Sequence, residues 1–239
     1  MQKRGGCHFL GIVSLGCLWG FFEAVTFLGL LHSHWGILFP YHLCPCFLMA
    51  ATLGSFVMGA ALSIYRKPEM LVGIGLVAAA FCWFAVPFLP TSVRSAYYGP
   101  VVSSATAAVL GSFSLALVTA FFERRLERNV PTRIGVGALS GLFASVIFII
   151  ATAYGLDKPI CADLGYARPL PDFLWIGGMV WMVAQAIMFP LGYIVGEKLC
   201  VWFVPGMERK PSMNYAVLTT SVIIFCFMGG AIAFMAGFR

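Results

Sequence analysis

Seven long apolar runs, parted by short polar segments, take up nearly the whole chain, at about 7–31, 44–65, 70–89, 99–122, 133–154, 173–203 and 215–238. The hydrocarbon core of a bilayer is about 30 Å thick, and an α-helix crosses it in about 20 residues. Every backbone N–H and C=O must be satisfied inside such a segment, so a run that crosses has to be helical. The expected fold is therefore all-α: a polytopic transmembrane helix bundle of six to seven spans, forming one domain over residues 1–239. Composition agrees, since 10% of residues are charged and 61% hydrophobic, whereas soluble domains carry about 25% charged residues. Little of the chain is left for a soluble domain.

Basic residues set the expected orientation. Lys3, Arg4, Arg66, Lys67, Arg124, Arg125, Arg128, Arg133, Lys198, Arg209 and Lys210 fall on one side of the runs, and Arg94, Lys158, Arg168 and Arg239 on the other. By the positive-inside rule the amino terminus is cytoplasmic, and seven spans put the carboxyl terminus outside a multi-pass protein of the cell membrane. The net charge of +6 is thereby explained by topology and lipid, without nucleic acid. The opening Met1-Gln2-Lys3-Arg4 and its apolar run imitate a secretory signal. No small-x-small cleavage site follows, so the run reads as a retained span.

Glu23 lies inside the first run. At 3.6 residues per turn Gly16, Gly20, Glu23 and Phe27 share a face, with Trp19 at its edge. Gly16 and Gly20 form a small-xxx-small contact that lets another helix approach, so Glu23 is expected to face protein. A carboxyl group at membrane depth costs several kcal/mol unless paired, protonated or wet, on the order of what marks functional positions in membrane helices. The functional reading is a ligand-contacting or proton-carrying group in a partly aromatic pocket. The bland reading is a carboxyl bonded to a Ser, Thr or Gln of a neighbouring helix, such as Gln185, which is the sixth run's only strongly polar side chain at depth.

His32, His34, His42, Cys44 and Cys46 follow closely. Imidazole and thiolate suit zinc or copper, and His42, Cys44 and Cys46 form a compact set for a divalent metal. The competing reading is an interfacial loop at headgroup level, with Trp35 and Tyr41 as its aromatic belt. Cys44, Cys46 and Cys161 are the cysteines expected at the outer surface, where a bridge from Cys161 to either of the others is open.

The fourth run is rich in small residues, including Ser103, Ser104, Ala105, Gly111, Ser112 and Ser114, and is expected at the bundle's centre. The fifth repeats the theme at Gly135, Gly137, Ser140, Gly141 and Ser145. The sixth would be about 46 Å long as a straight helix, so a kink near Pro190 or a cytoplasmic extension is expected. The charged segment 123–133 is either a docking surface for a partner such as an ATPase or a topology determinant. The segment 155–172, with Asp157, Asp163 and Asp172, is long enough to act as a lid. No Walker, Gly-x-Ser-x-Gly, His-Glu-x-x-His or dinucleotide-binding motif occurs, which disfavours a self-contained ATPase, hydrolase or zinc protease.

The run Leu18-Trp19-Gly20-Phe21-Phe22-Glu23-Ala24, with Leu28-Gly29-Leu30-Leu31-His32 after it, resembles the first span of the substrate-binding S components of energy-coupling factor transporters. The resemblance covers about 20 of the 239 residues, on the order of a single span. It implies a six-helix bundle that binds a vitamin or metal cation near its outer face and docks on a transmembrane subunit and ATPases. Trp19, Glu23 and His32 would then stand near the pocket, beneath the first and fifth loops. The seventh run departs from that pattern. The expected function is binding of a small solute, a vitamin-like molecule or a metal cation, at an outer-face pocket for uptake with an energising partner, and Trp19, Glu23, Phe27, His32 and Gln185 are the candidate contacts. A membrane-embedded metal or redox protein using the His/Cys loop and a structural subunit of a membrane complex are the alternatives.

Overall fold

The structure, a computed structural model, describes residues 3–32, 48, 50–85, 91–126, 129–155, 170–209 and 211–237. Among these there is no strand, and seven helices follow one another: α1 Lys3–His32, α2 Ser55–Tyr65 with a π-helical turn Ala50–Gly54 leading into it, α3 Glu69–Ala85, α4 Thr91–Leu126, α5 Val130–Gly155, α6 Leu170–Arg209 and α7 Pro211–Gly237. Each corresponds to one apolar run. Three stretches are long and apolar enough to cross a membrane, Val101–Leu126, Val130–Ala151 and Gly177–Leu199. Shorter apolar helical stretches run over Leu10–Val25, Ala50–Tyr65, Glu69–Phe84 and Thr219–Gly230.

Two helices exceed their expected bounds. α4 begins at Thr91 and carries Pro100 within it, while α6 is unbroken for 40 residues through Pro190. Pro190 lies within the apolar stretch Gly177–Leu199, and in nonpolar surroundings unwinding at proline would expose further unsatisfied backbone groups. α6 and α7 each take a proline into their first turn, Pro171 and Pro211, where the missing N–H removes no intrahelical bond.

Neighbouring helices in sequence pack as α3 on α4, α4 on α5 and α5 on α6; α1 lies on α3, and α2 returns against α6. Small residues set these approaches. Gly16 and Gly20 of α1 meet Ile74, Val77, Ala78 and Phe81 of α3, so that a Cβ at either glycine would stand within 2.9 Å of a carbonyl oxygen. On α2 and α6, Gly192 rests on the Phe56 carbonyl, Gly59 on that of Phe189, and Gly196 on Ala60 and Ser63. Gly137 and Gly141 seat α5 on Gln185, Trp181 and Met182 of α6. α7 lies outside this ring along α1, where Cys226 joins Cys17, Phe21 and Phe81 in one cluster. The Phe227 ring lies 5.1 Å from that of Phe81.

The distribution of side chains is that of a membrane protein. Nine of the buried polar residues described are serines, while Phe121, Phe225 and Met228 are 79%, 63% and 60% exposed. Small hydroxyls inside and large apolar groups outside suit helices that associate by close packing in lipid. Most interior hydroxyls satisfy themselves on their own helix: Ser14 donates to Gly11 O, Ser63 to Ala60 O, Thr119 to Leu115 O and Ser145 to Leu142 O.

At the end of the bundle where α4 passes into α5, Arg133 is buried. Its Nε donates to Leu126 O at 2.8 Å, its two terminal nitrogens reach Glu197 of α6 at 2.8 and 3.3 Å, and its guanidinium lies 4.0 Å over the Tyr193 ring. Gly135, two residues on, is exposed with nothing within 4 Å of a Cβ built there. Gly135→Ala should therefore raise stability by about 0.5–1 kcal/mol through helix propensity alone. A thermal melt in detergent checks this, and a lower midpoint would refute it.

Candidate functional site

Glu23 is 2% exposed, on the third turn from the end of α1. It faces protein, as the small-xxx-small pattern predicts. Gly16 and Gly20 draw α1 onto α3, which carries Glu23 to the place where α3 and α4 meet. There Ser104 of α4 donates its hydroxyl to Glu23 Oε1. Ser104 also interacts with the Cys82 thiol of α3, so carboxyl, hydroxyl and thiol from three helices meet at one point. Cys17, Cys82 and Cys226 are all free thiols.

Trp19, one turn before Glu23, is 1% exposed and sits in the main core cluster. Its six-membered ring lies against Gly54, the last residue of the π-helical turn, so closely that no Cβ would fit. That turn inserts an extra residue per turn where α2 enters the bundle, a distortion often found at functional positions. Glu23 and Trp19 thus leave α1 towards different neighbours, one to α4 and the other to α2.

Gln185 is fully buried in α6, and its partner is Ser140 of α5, whose hydroxyl lies 2.8 Å from Gln185 Oε1 and 2.9 Å from Gly137 O. Of the Ser, Thr or Gln partners considered from sequence, Glu23 takes a serine, Ser104 of α4, while Gln185 is bonded to Ser140 of α5. Phe27 and His32 belong to the last turns of α1, and their side chains lie outside the described set. His34, His42, Cys44, Cys46 and Cys161 lie wholly outside it, as do the first loop and most of the 155–172 segment. Among the described residues no group of three His, Cys, Asp or Glu is placed to hold a metal.

Sequence reasoning had named Ser104 and Ser140 only as packing residues. The signal for a larger role was present: a buried carboxyl and a buried carboxamide each need a donor or acceptor, and the small-residue helices α4 and α5 are where hydroxyls are available. At the opposite end of the bundle a cleft is lined by Leu62, Arg66, Pro68, Thr119, Glu123 and Tyr193. Arg66 adopts left-handed backbone there, with φ 52°, and its N–H caps α2 on Leu62 O at 2.8 Å.

A carboxyl group buried in this way can carry a proton, bind a cation, or accept from a solute's N–H or O–H. It keeps a charge only where donors or a cation meet it. Comparison with known families, curated proteins and solved structures finds no match for this chain.

Proposed function

We propose that this is a non-enzymatic, multi-pass protein of the cell membrane, with six to seven spans and a cytoplasmic amino terminus. It binds a small solute, a vitamin-like molecule or a metal cation, in a pocket on its outer face and serves uptake with an energising partner. The observation that carries the reading is the burial of Glu23 beside Trp19, on a helix whose residues 18–32 resemble the first span of S components. A carboxyl retained at such depth is costly, and the same helix carries an indole one turn earlier, directed to α2 rather than α4, so acid and aromatic groups are both available from α1. His32 and Phe27 follow on the same helix towards the outer face. The transmembrane subunit and ATPases of an energised complex would meet the opposite face, where the basic residues gather.

Calorimetric titration of the purified protein with a panel of vitamins and divalent metal ions tests this. One of them should bind, and Glu23→Gln, which keeps the shape and a group able to accept from Ser104, should weaken that binding at least about tenfold, equivalent to about 1.4 kcal/mol. Unchanged affinity in the variant would remove Glu23 from the site.

The bond between Ser104 and Glu23 favours a second reading, in which the carboxyl joins α1 to α4 within a structural subunit. In that case Glu23→Gln would leave no binding defect, and Ser104→Ala would lower the melting midpoint as much as Glu23→Ala does.

A further inference from the structure

Deeper in the bundle, polar atoms from four helices are buried without hydrogen-bond partners among the described residues: Trp19 Nε1 on α1, Ser55 Oγ on α2, Ser114 Oγ on α4 and Gln185 Nε2 on α6. Helix register brings the last three to one level. α2 and α6 run parallel, with Phe56 at Gly192 and Ala60 at Gly196, and Gly59 rests on Phe189. Ser55 is one turn before Gly59, and Gln185 is one turn before Phe189, so the two stand at the same level of the α2–α6 interface. Gly111 of α4 meets Trp181 of α6, with the Trp181 ring 3.4 Å from a Cβ built there. Ser114 and Gln185 are the next positions on those same faces. Trp19 joins the group through Gly54, the residue before Ser55, which touches the indole at Cε2, the atom bonded to Nε1.

Ser140 holds the oxygen end of the Gln185 carboxamide and thereby turns the NH2 end away from α5. Ser55, Ser114 and Gln185 are each fully buried and Trp19 is 1% exposed. Polar atoms in such places are almost always bonded to protein or to bound oxygen. The set is rich in donors, two N–H groups and two hydroxyls, and its members are all neutral. An acceptor fits it better than a donor, and a neutral group fits a membrane interior better than an ion.

We propose that Gln185, Ser55, Ser114 and Trp19 enclose a binding site for a neutral acceptor oxygen, supplied either by water or by the carbonyl or hydroxyl of a bound molecule. The site is distinct from Glu23, whose contact with Ser104 lies one turn further along α1. It converts the centre of the bundle from a packing contact into a place that holds a polar group at membrane depth.

Gln185→Met tests the proposal, because it preserves length and removes the donor. If the site holds oxygen, the melting midpoint falls by about 2–4 °C, and it falls equally in a Ser140→Ala background, where the Ser140 bond no longer contributes. Difference infrared spectra in heavy-oxygen water identify the source. An O–H band sensitive to the isotope in the wild type and missing in Gln185→Met marks water, whereas a stoichiometric molecule extracted by organic solvent from the wild type alone marks a solute. Either result supports the site. Ser114→Ala, a smaller change, should reproduce the loss should Gln185→Met fail to fold, and Glu23→Gln should leave it untouched. An unchanged or higher midpoint in Gln185→Met, with neither band nor molecule in the wild type, would overturn the proposal.

Discussion

Gly192→Ala is expected to destabilise the protein by about 3 kcal/mol, the upper range for overpacking, and Gly192→Leu to leave no folded protein in detergent. A Cβ at Gly192 would overlap the carbonyl oxygen of Phe56, with the Phe56 carbonyl carbon at 2.8 Å and its Cα at 2.9 Å. None of these atoms belongs to a side chain that can rotate away. α2 and α6 would have to separate, and because Gly59 and Gly196 lock the same pair of helices at adjacent turns, the separation would propagate along both. Gln185 and Ser55 stand at the same level of this interface, and their spacing would widen as well. Thermal melts followed by size-exclusion chromatography check the series. A Gly192→Ala midpoint equal to the wild type would show that the helices do not approach as closely as described.

Arg133→Ala should cost about 2–3 kcal/mol, and the loss should come mostly from what the guanidinium does for backbone and ring. The Glu197 side chain is 48% exposed against 7% for Arg133. A pair with one partner half in solvent contributes about 0–1 kcal/mol. The remaining contacts are drier. Nε caps the Leu126 carbonyl at the end of α4, and the planar group stacks on Tyr193. Glu197→Gln should therefore cost less than about 1 kcal/mol. Arg133→Lys should recover less than half of the loss, because an ammonium cannot bond Leu126 O and a carboxylate while lying flat on a ring. Denaturation midpoints for the three variants decide this. An Arg133→Lys protein as stable as the wild type would mean that charge alone matters.

How much of this was legible in the sequence depends on the residue. The seven apolar runs became seven helices, since length and apolarity dictate helix in a nonpolar solvent irrespective of neighbours. That Glu23 faces protein followed from Gly16 and Gly20, whose i, i+4 spacing already marks the α1 side that another helix can approach. The partner of Glu23 was not legible. Which helix comes to that face is decided by the packing of all of them together, and Ser104 is one of many serines of equal promise in the fourth run. Gln185 illustrates the same limit, because its need for a partner was visible and the choice of Ser140 was not. The Gly192-x-x-x-Gly196 pair carries the same spacing signal as Gly16 and Gly20, and it marks the α6 side that α2 approaches. Pro190, where a kink or an extension of the sixth run was expected, lies within a helix that extends to Arg209.

The position of α7 bears on how the packing of α1 is completed. Cys17 and Phe21 on α1 find their covering residues, among them Cys226 and Phe225, on the described helix most distant from it in sequence. α1 thus rests on α3 along one flank and on α7 along another. The α1–α7 contact closes a far longer loop of chain than the α1–α3 contact and does so at a greater entropic cost, so the covering of Cys17 and Phe21 is the part of the α1 packing that depends on the most distant sequence.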